Sequence, residues 1–269
     1  MARLDRLEAI KEIAQIGAAI GREFPHTMLE AVSPLTGPNL EKALDLLIQL
    51  EIVFRRGVGS GASYVFKHAL IQETAYESLL RSRRQQIHAR IAKVLPTRFA
   101  TLVENEPEVL AHHHTQAGSF QEAVPHWLLA GQRAVARSAF LEAIAHLTHG
   151  LDVVAQLPAG QEVSNLELDM QISLGSARIA ARGYSSVETE EAWLRARQLL
   201  DEVGEDPRQF AVLHGLCMAY WNRAQLKRMQ EVNEDMLRRG TRHDSGGLEG
   251  AFAFWPYPPP DLGGPFRRV

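Results

Sequence analysis

Between residues 4 and 20 apolar side chains recur every three or four positions, at Leu4, Leu7, Ile10, Ile13 and Ala14, a spacing that lines one face of a helix. A second helix is predicted after the turn-forming stretch SPLTGPN, where Asn39 is placed to cap and Leu40, Ala43, Leu44, Leu47 and Ile48 keep the helical period. The pattern then changes. EIVFRR and SYVFK are short β-branched and aromatic runs separated by GVGSGA, whose glycines tolerate the positive φ of a hairpin turn. Helical spacing returns at once through Leu70, Ile71, Ala75 and Leu79. Ser82 followed by Gln85 has the form of a capping box, which predicts a further helix carrying Ile87, Ile91 and Leu95 on one side. Helices around a two-stranded wing predict a winged-helix-like module over residues 1–97, with 98–105 as a linker.

From residue 106 to 240 strand signals vanish, and short breaks at AGS, RSA, LPAGQE, RGYSS, VGEDP and NRA separate helices that should pair antiparallel. Trp127, Ala130, Gly131, Ala134, Ala143, Leu147 and Gly150 follow the alternation of small and large residues that lets a tetratricopeptide (TPR) helix pair close tightly. The later helices, 187–203 and 224–240, stay amphipathic but dilute that signature, so the region is read as a TPR-like array. The predicted fold class is therefore mainly α, a winged-helix-like module with a small β-hairpin followed by antiparallel helical repeats. Residues 241–269 are rich in Pro and Gly and have no periodicity, which predicts a disordered tail; the break near Asp244 is also what a chain out of its reading frame would show.

Composition narrows the function classes. A 45% hydrophobic content over 269 residues is ample for packed cores. The formal charge of -3 gives no global attraction to nucleic acid or acidic membranes. A single cysteine, Cys217, excludes an internal disulfide and a zinc site built on several thiolates, and fits a reducing compartment, with the cytoplasm as the default. No apolar run approaches the ~20 residues that span a bilayer, and the first residues lack the layout of an export signal.

The candidate chemistry begins with His112, His113 and His114. Consecutive helical residues are turned by about 100° from one another, so these imidazoles are expected to disperse, one or two into a helix seam and the rest toward water. A metal would need partners from elsewhere in the chain. Glu108, one turn earlier, adds only a second ligand to His112, and no metal site is assigned. Gly57, Gly59 and Ala62 of GVGSGA come close to a dinucleotide fingerprint, but strands on both sides contradict the strand-to-helix context that motif requires. The sequence contains no GxxxxGK(S/T), HExxH or GxSxG, so the chain as it stands is not read as an enzyme. Arg81, Arg83, Arg84, His88, Arg90 and Lys93 form a basic run that can meet phosphates or an acidic partner. A solvated or intramolecularly docked face is preferred, since overall charge is negative and no aromatic platform accompanies the run.

FKHALIQETAYESLLRSRRQQIHARIAKVL, then LAHHHTQAGSFQEAVPHWLLAGQRAVARSAFLEAIAHLTHGLDVV, together with AQIGAAIGREF, resemble the region downstream of the ATPase core in bacterial STAND signal-transduction ATPases. The similarity runs from about Leu4 to Gly240, and is greatest to multidomain proteins in which an adenylate/guanylate cyclase domain precedes the ATPase and TPR array. The resemblance implies a non-catalytic regulatory segment that relays nucleotide state to a TPR-like surface for a protein or peptide partner. It also implies a role for His68, since FKHALIQE is similar to the family's winged-helix Met-His-Asp motif, whose histidine reaches the nucleotide phosphates. Lys67 and Ala69 replace the flanking Met and Asp. ATP or ADP would belong to the parent ATPase and no cofactor to this chain. The alternative is a winged-helix transcriptional regulator that binds DNA directly.

Overall fold

The structure is a computed structural model that describes residues 2–204 and 206–240, with side chains described from residue 8 to 238 apart from residues 60 and 205. The predicted tail, residues 241–269, and the side chains of Leu4 and Leu7 lie outside the described residues. Among the described residues the chain is mainly helical with one small antiparallel sheet, and it divides into two compact units at Ala130 and Gly131.

The first unit begins with α1 (Ala2–Ile20), β1 (Glu23–Pro25), α2 (His26–Val32) and α3 (Gly37–Gln49). It continues through β2 (Val53–Arg56) and β3 (Ser63–Phe66) to α4 (Ala69–Glu77) and α5 (Arg81–Arg98). The hairpin is where the sequence placed it, with a single 3-10 turn at Gly59–Gly61 and positive φ at Gly57 and Gly59. A third strand was not expected. β1 pairs with β3 on the side away from β2, giving the order β1-β3-β2 with Phe24 opposite Tyr64. Three residues are too short to show alternation in sequence, and only the pairing with β3 makes them a strand. Phe24 is fully buried, lies 5.7 Å from the Tyr64 ring and 5.6 Å from that of Phe66, and presses on Gly17 of α1. A β-carbon at Gly17 would stand 2.8 Å from that ring, which explains the glycine in AQIGAAIG.

Two predicted caps are corrected. α3 starts at Gly37 with Thr36 as its N-cap, and Asn39 lies inside the helix, because Pro38 has the φ of a first turn already fixed and draws the start upstream. α5 starts at Arg81 after Leu80, so Ser82 sits within the first turn and forms no capping box. Buried Leu79 pins the chain just before that start. The predicted linker carries another helix, α6 (Ala100–Asn105), because Leu102 and Val103 pack against the unit's core. α7 (Pro107–Ala117) then lies along α5, adding Leu110 to the same core. The compact first unit therefore runs past the predicted boundary at residue 97 and into α8 (Phe120–Ala136).

The second unit, from Gly131 onward, contains the end of α8, then α9 (Phe140–Val154), α10 (Gln161–Arg182), α11 (Val187–Val203), α12 (Gln209–Asn222) and α13 (Leu226–Gly240). Consecutive helices from α9 onward pack on one another across short connections, which makes them antiparallel neighbours. The breaks fall where glycine or a left-handed residue closes a helix: Ser138, Gly183, Gly204 and Ala224 all have positive φ. Small residues let these helices approach. A β-carbon at Gly131 would overlap the Leu147 side chain, and Ala134, Ala143 and Ala177 are fully buried together. The same device recurs at Trp193 of α11, whose indole lies between Gly175 of α10 and Gly215 of α12, leaving 2.6 and 2.5 Å for an added β-carbon.

Candidate functional site

A group of titratable side chains in the first unit lies where α5 meets α7. His88, Ile91, Ala92 and Leu95 are spaced along the buried face of α5, so His88 enters the seam fully buried. Pro107 and Glu108 open α7, and about one and a half turns later the helix presents His113 to the same seam, 4% exposed. The two Nδ1 atoms lie 2.8 Å apart. On the far side of His88, Nε2 lies 2.9 Å from Tyr76 Oη, and that hydroxyl can donate to Gln116 Oε1 at 3.4 Å.

Exposed His112 completes the group. Its ring centroid is 5.7 Å from that of His88 and 5.4 Å from that of His113, while His88 and His113 are 5.0 Å apart. The three rings thus form a nearly equilateral triangle, and one nitrogen from each lies within 4.8 Å of the others. The expected dispersal is corrected for two of the three histidines: the rings of His112 and His113 both lie against that of His88 across the seam. His114 takes no part and stacks on His126 at 6.0 Å.

Burial keeps this seam neutral. His88 is depressed to about 4, first by burial and then by the charges of His112 and Arg84. His113 is pushed further down, again first by burial and then by the neighbouring histidines. A hydrogen bond between two Nδ1 atoms requires that one carry a proton and the other a lone pair, so the neutral rings that burial favours take opposite Nδ1 states.

The basic run is spread over several environments. Arg81 is exposed and, with Arg84, Gln85, Thr115, Gln116 and Phe120, lines a hollow of about 350 Å³. Arg83 forms an ion pair with Glu12 of α1. Arg84 stacks its guanidinium 4.3 Å over the Tyr76 ring, with Nε buried and lacking a hydrogen-bond partner. The guanidinium of Arg90 is partly buried, and desolvation and Arg83 hold its pKa below the usual range. Only Arg81 and Lys93 of the six point freely at solvent by exposure.

His68 is the exposed N-cap residue of α4, and its imidazole makes no capping hydrogen bond. It stands at the end of β3, away from the seam histidines in sequence and on a different element. Of the predicted packing residues, Trp127, Ala130, Ala134, Ala143 and Leu147 are buried and Gly131 is closed over by Leu147. Trp127 also donates from Nε1 to Thr115 Oγ1 at 3.0 Å. Sequence reasoning missed His88 as a partner for His112 and His113, although its helical register with Ile91 and Leu95 marks it as inward-facing. Trp193 was missed as well; its signal is spread over three helices, at Gly175, Trp193 and Gly215.

These observations define a mainly helical protein with a small three-stranded antiparallel sheet, and among the described residues no helix is long and apolar enough to cross a membrane. No family model matches the chain. An uncharacterized protein of Rhizobium meliloti (strain 1021) is 33% identical over 185 residues, covering 68% of this chain and 18% of that protein. The chain therefore spans less than a fifth of that relative's length. A crystal structure of a STAND protein with a tetratricopeptide repeat sensor, from Pyrococcus horikoshii, is similar over 87% of this chain and 44% of that one, at 9% identity and a TM-score of 0.39. That score is too low for a shared fold to follow.

Proposed function

We propose that the chain is a regulatory, protein-interacting segment of a STAND-type ATPase or nucleotide-cyclase signalling protein, with a winged-helix-like relay followed by a TPR-like partner-binding array. The observation that carries the reading is the repeated lock of a glycine against a large side chain: Gly131 on Leu147, and Gly175 and Gly215 on Trp193. Such locks hold stacked helix pairs at close range, and stacked pairs make the extended surfaces on which repeat proteins bind peptides or other proteins. The relay reading draws support from the element order α1-β1-α2-α3-β2-β3 with sheet order β1-β3-β2, an arrangement that a winged-helix-like module could use. In the parent, nucleotide exchange would shift this module between two docked positions, with His68 sensing the phosphates, and partner binding to the repeats would bias that equilibrium.

A DNA-binding regulator is the second reading, favoured by the same element order and by exposed Arg55 on the wing. It is weakened by α3, the helix a winged-helix DNA reader lays in the groove, which carries Glu41 and Asp45 against a single Lys42. The ties of Arg83 to Glu12 and of Arg84 to Tyr76 also compete with phosphate contacts. Fluorescence anisotropy with a labelled duplex separates the two. The interaction-module reading expects no binding that falls as salt rises from 50 to 200 mM. Salt-sensitive binding that disappears on changing both Arg83 and Arg84 to Ala would establish the DNA reader instead. The purified chain is likewise expected to show no ATP hydrolysis and no cyclic nucleotide formation.

A further inference from the structure

Three imidazoles from two helices converge on one point of the α5–α7 seam, and this arrangement has no role in the relay described above. A donor set made only of imidazole nitrogens selects against Mg²⁺ and Ca²⁺, which take oxygen ligands, and suits Zn²⁺, Cu²⁺, Ni²⁺ or Co²⁺. We propose that His88, His112 and His113 form a binding site for a late first-row divalent metal ion, with Zn²⁺ as the representative case and a fourth position open to water beside exposed His112.

The geometry supports each part of the site. Two of the ligands are anchored in the seam: His88 is fully buried and His113 nearly so, and their facing nitrogens are both Nδ1. A tetrahedral ion with Zn–N bonds of about 2.0–2.1 Å separates its nitrogens by roughly 3.3 Å. The 2.8 Å Nδ1–Nδ1 distance has to open by roughly half an ångström, a change within reach of two side-chain rotations. The proton that lies between the two nitrogens in the metal-free pair moves to the Nε2 of its own ring, so both Nδ1 lone pairs face the ion and no proton is lost from the protein.

The outer shell is in place as well. With its Nδ1 on the metal, His88 carries its proton on Nε2 and donates it to Tyr76 Oη at 2.9 Å, while the Tyr76 hydroxyl donates to Gln116 Oε1 at 3.4 Å. Metal-bound histidines depend on such a partner to fix tautomer and ring orientation. His112 supplies the third nitrogen from the solvent side, so an ion reaches the site without opening the core. Arg84, whose guanidinium lies 4.3 Å over the Tyr76 ring, is a cation on α5 whose charge opposes binding, and neutralising it should tighten the site.

The test is titration of the untagged full chain, stripped of metal by chelation and desalting, with Zn²⁺ by calorimetry and with Co²⁺ by visible absorption. One equivalent is expected to bind, and Co²⁺ is expected to show the d–d bands of a four- or five-coordinate nitrogen site. His112→Ala should weaken binding at least tenfold and bleach the Co²⁺ bands, His113→Gln should abolish both signals, and His146→Ala on α9 should leave them unchanged. His112 is exposed, so its variant stays folded and decides the matter if His113→Gln does not fold. Absence of binding to the wild-type chain would overturn the proposal and leave His88 and His113 as a hydrogen-bonded structural pair. Binding that survives His112→Ala undiminished would overturn it equally, by placing the ion elsewhere.

Discussion

The packing of Trp193 shows how much one side chain can depend on what its neighbours lack. Its indole occupies the space of two missing β-carbons, at Gly175 and Gly215, and its Nε1 is buried without a hydrogen-bond partner. Alanine normally improves a helix over glycine by up to about 1 kcal/mol. At Gly215 that gain is outweighed by overpacking, which typically costs about 1–3 kcal/mol. Gly215→Ala should therefore lower unfolding free energy by about 1–2 kcal/mol in urea denaturation. In a Trp193→Phe background the same change should become neutral or stabilising, and equal effects in both backgrounds would refute the lock. The histidine pair makes a second residue-scale prediction. Burial holds His88 and His113 below the ordinary imidazole value of 6.5, so between those values the unfolded chain binds more protons than the folded one. Stability from the neutral pair is whole above about pH 6.5 and is lost as pH falls toward 4. Thermal melts at pH 7.5 and 5.0 should show this loss, and His113→Gln should flatten the slope between them.

Between elements, buried and half-buried ion pairs tie the helices of the second unit where their apolar faces end. Arg208, at the start of α12, donates to Asp169 Oδ1 at 2.7 Å and to Asn165 Oδ1 at 2.5 Å on α10, and also holds Asp206 of the preceding turn. These partners raise its pKa, led by Asp206, and fix where α12 begins. Since Arg208 is about a quarter exposed, solvent screening discounts the pairs. Arg208→Ala should cost about 1–2 kcal/mol. Circular dichroism melts should report it, and a change under a few tenths would show that the cluster is only a surface association. Glu190 plays a similar part between α11 and the helices beyond, 2.5 Å from Arg223 and 3.3 Å from Arg228. In the first unit the comparable junction is apolar. Phe24 joins α1 to the sheet, and Phe24→Ala is expected to cost about 3–5 kcal/mol, enough to unfold a marginal unit.

At the scale of the whole chain, the longer helices, their breaks and the hairpin were legible from residue spacing, because a 3.6-residue period and left-handed glycines are local properties. The mainly helical class and the run of packed helices after residue 106 followed from the same spacing. Asn39 and Ser82 were misplaced as caps because helix starts are set by upstream neighbours, here the fixed φ of Pro38 and the buried side chain of Leu79. β1, α2 and α6 were missed because each is short and is held by contacts distant in sequence. The histidine site divides in the same way. The sequence by itself determined that HHH lies on a helix and that the imidazoles start out in different directions. Only the tertiary structure decided that they meet, since His88 lies 24 residues before His112 and reaches the seam through the packing of α5 on α7. Periodicity specifies which face of a helix turns inward. What that face meets is set by the partner helix, because burial is a property of pairs of surfaces.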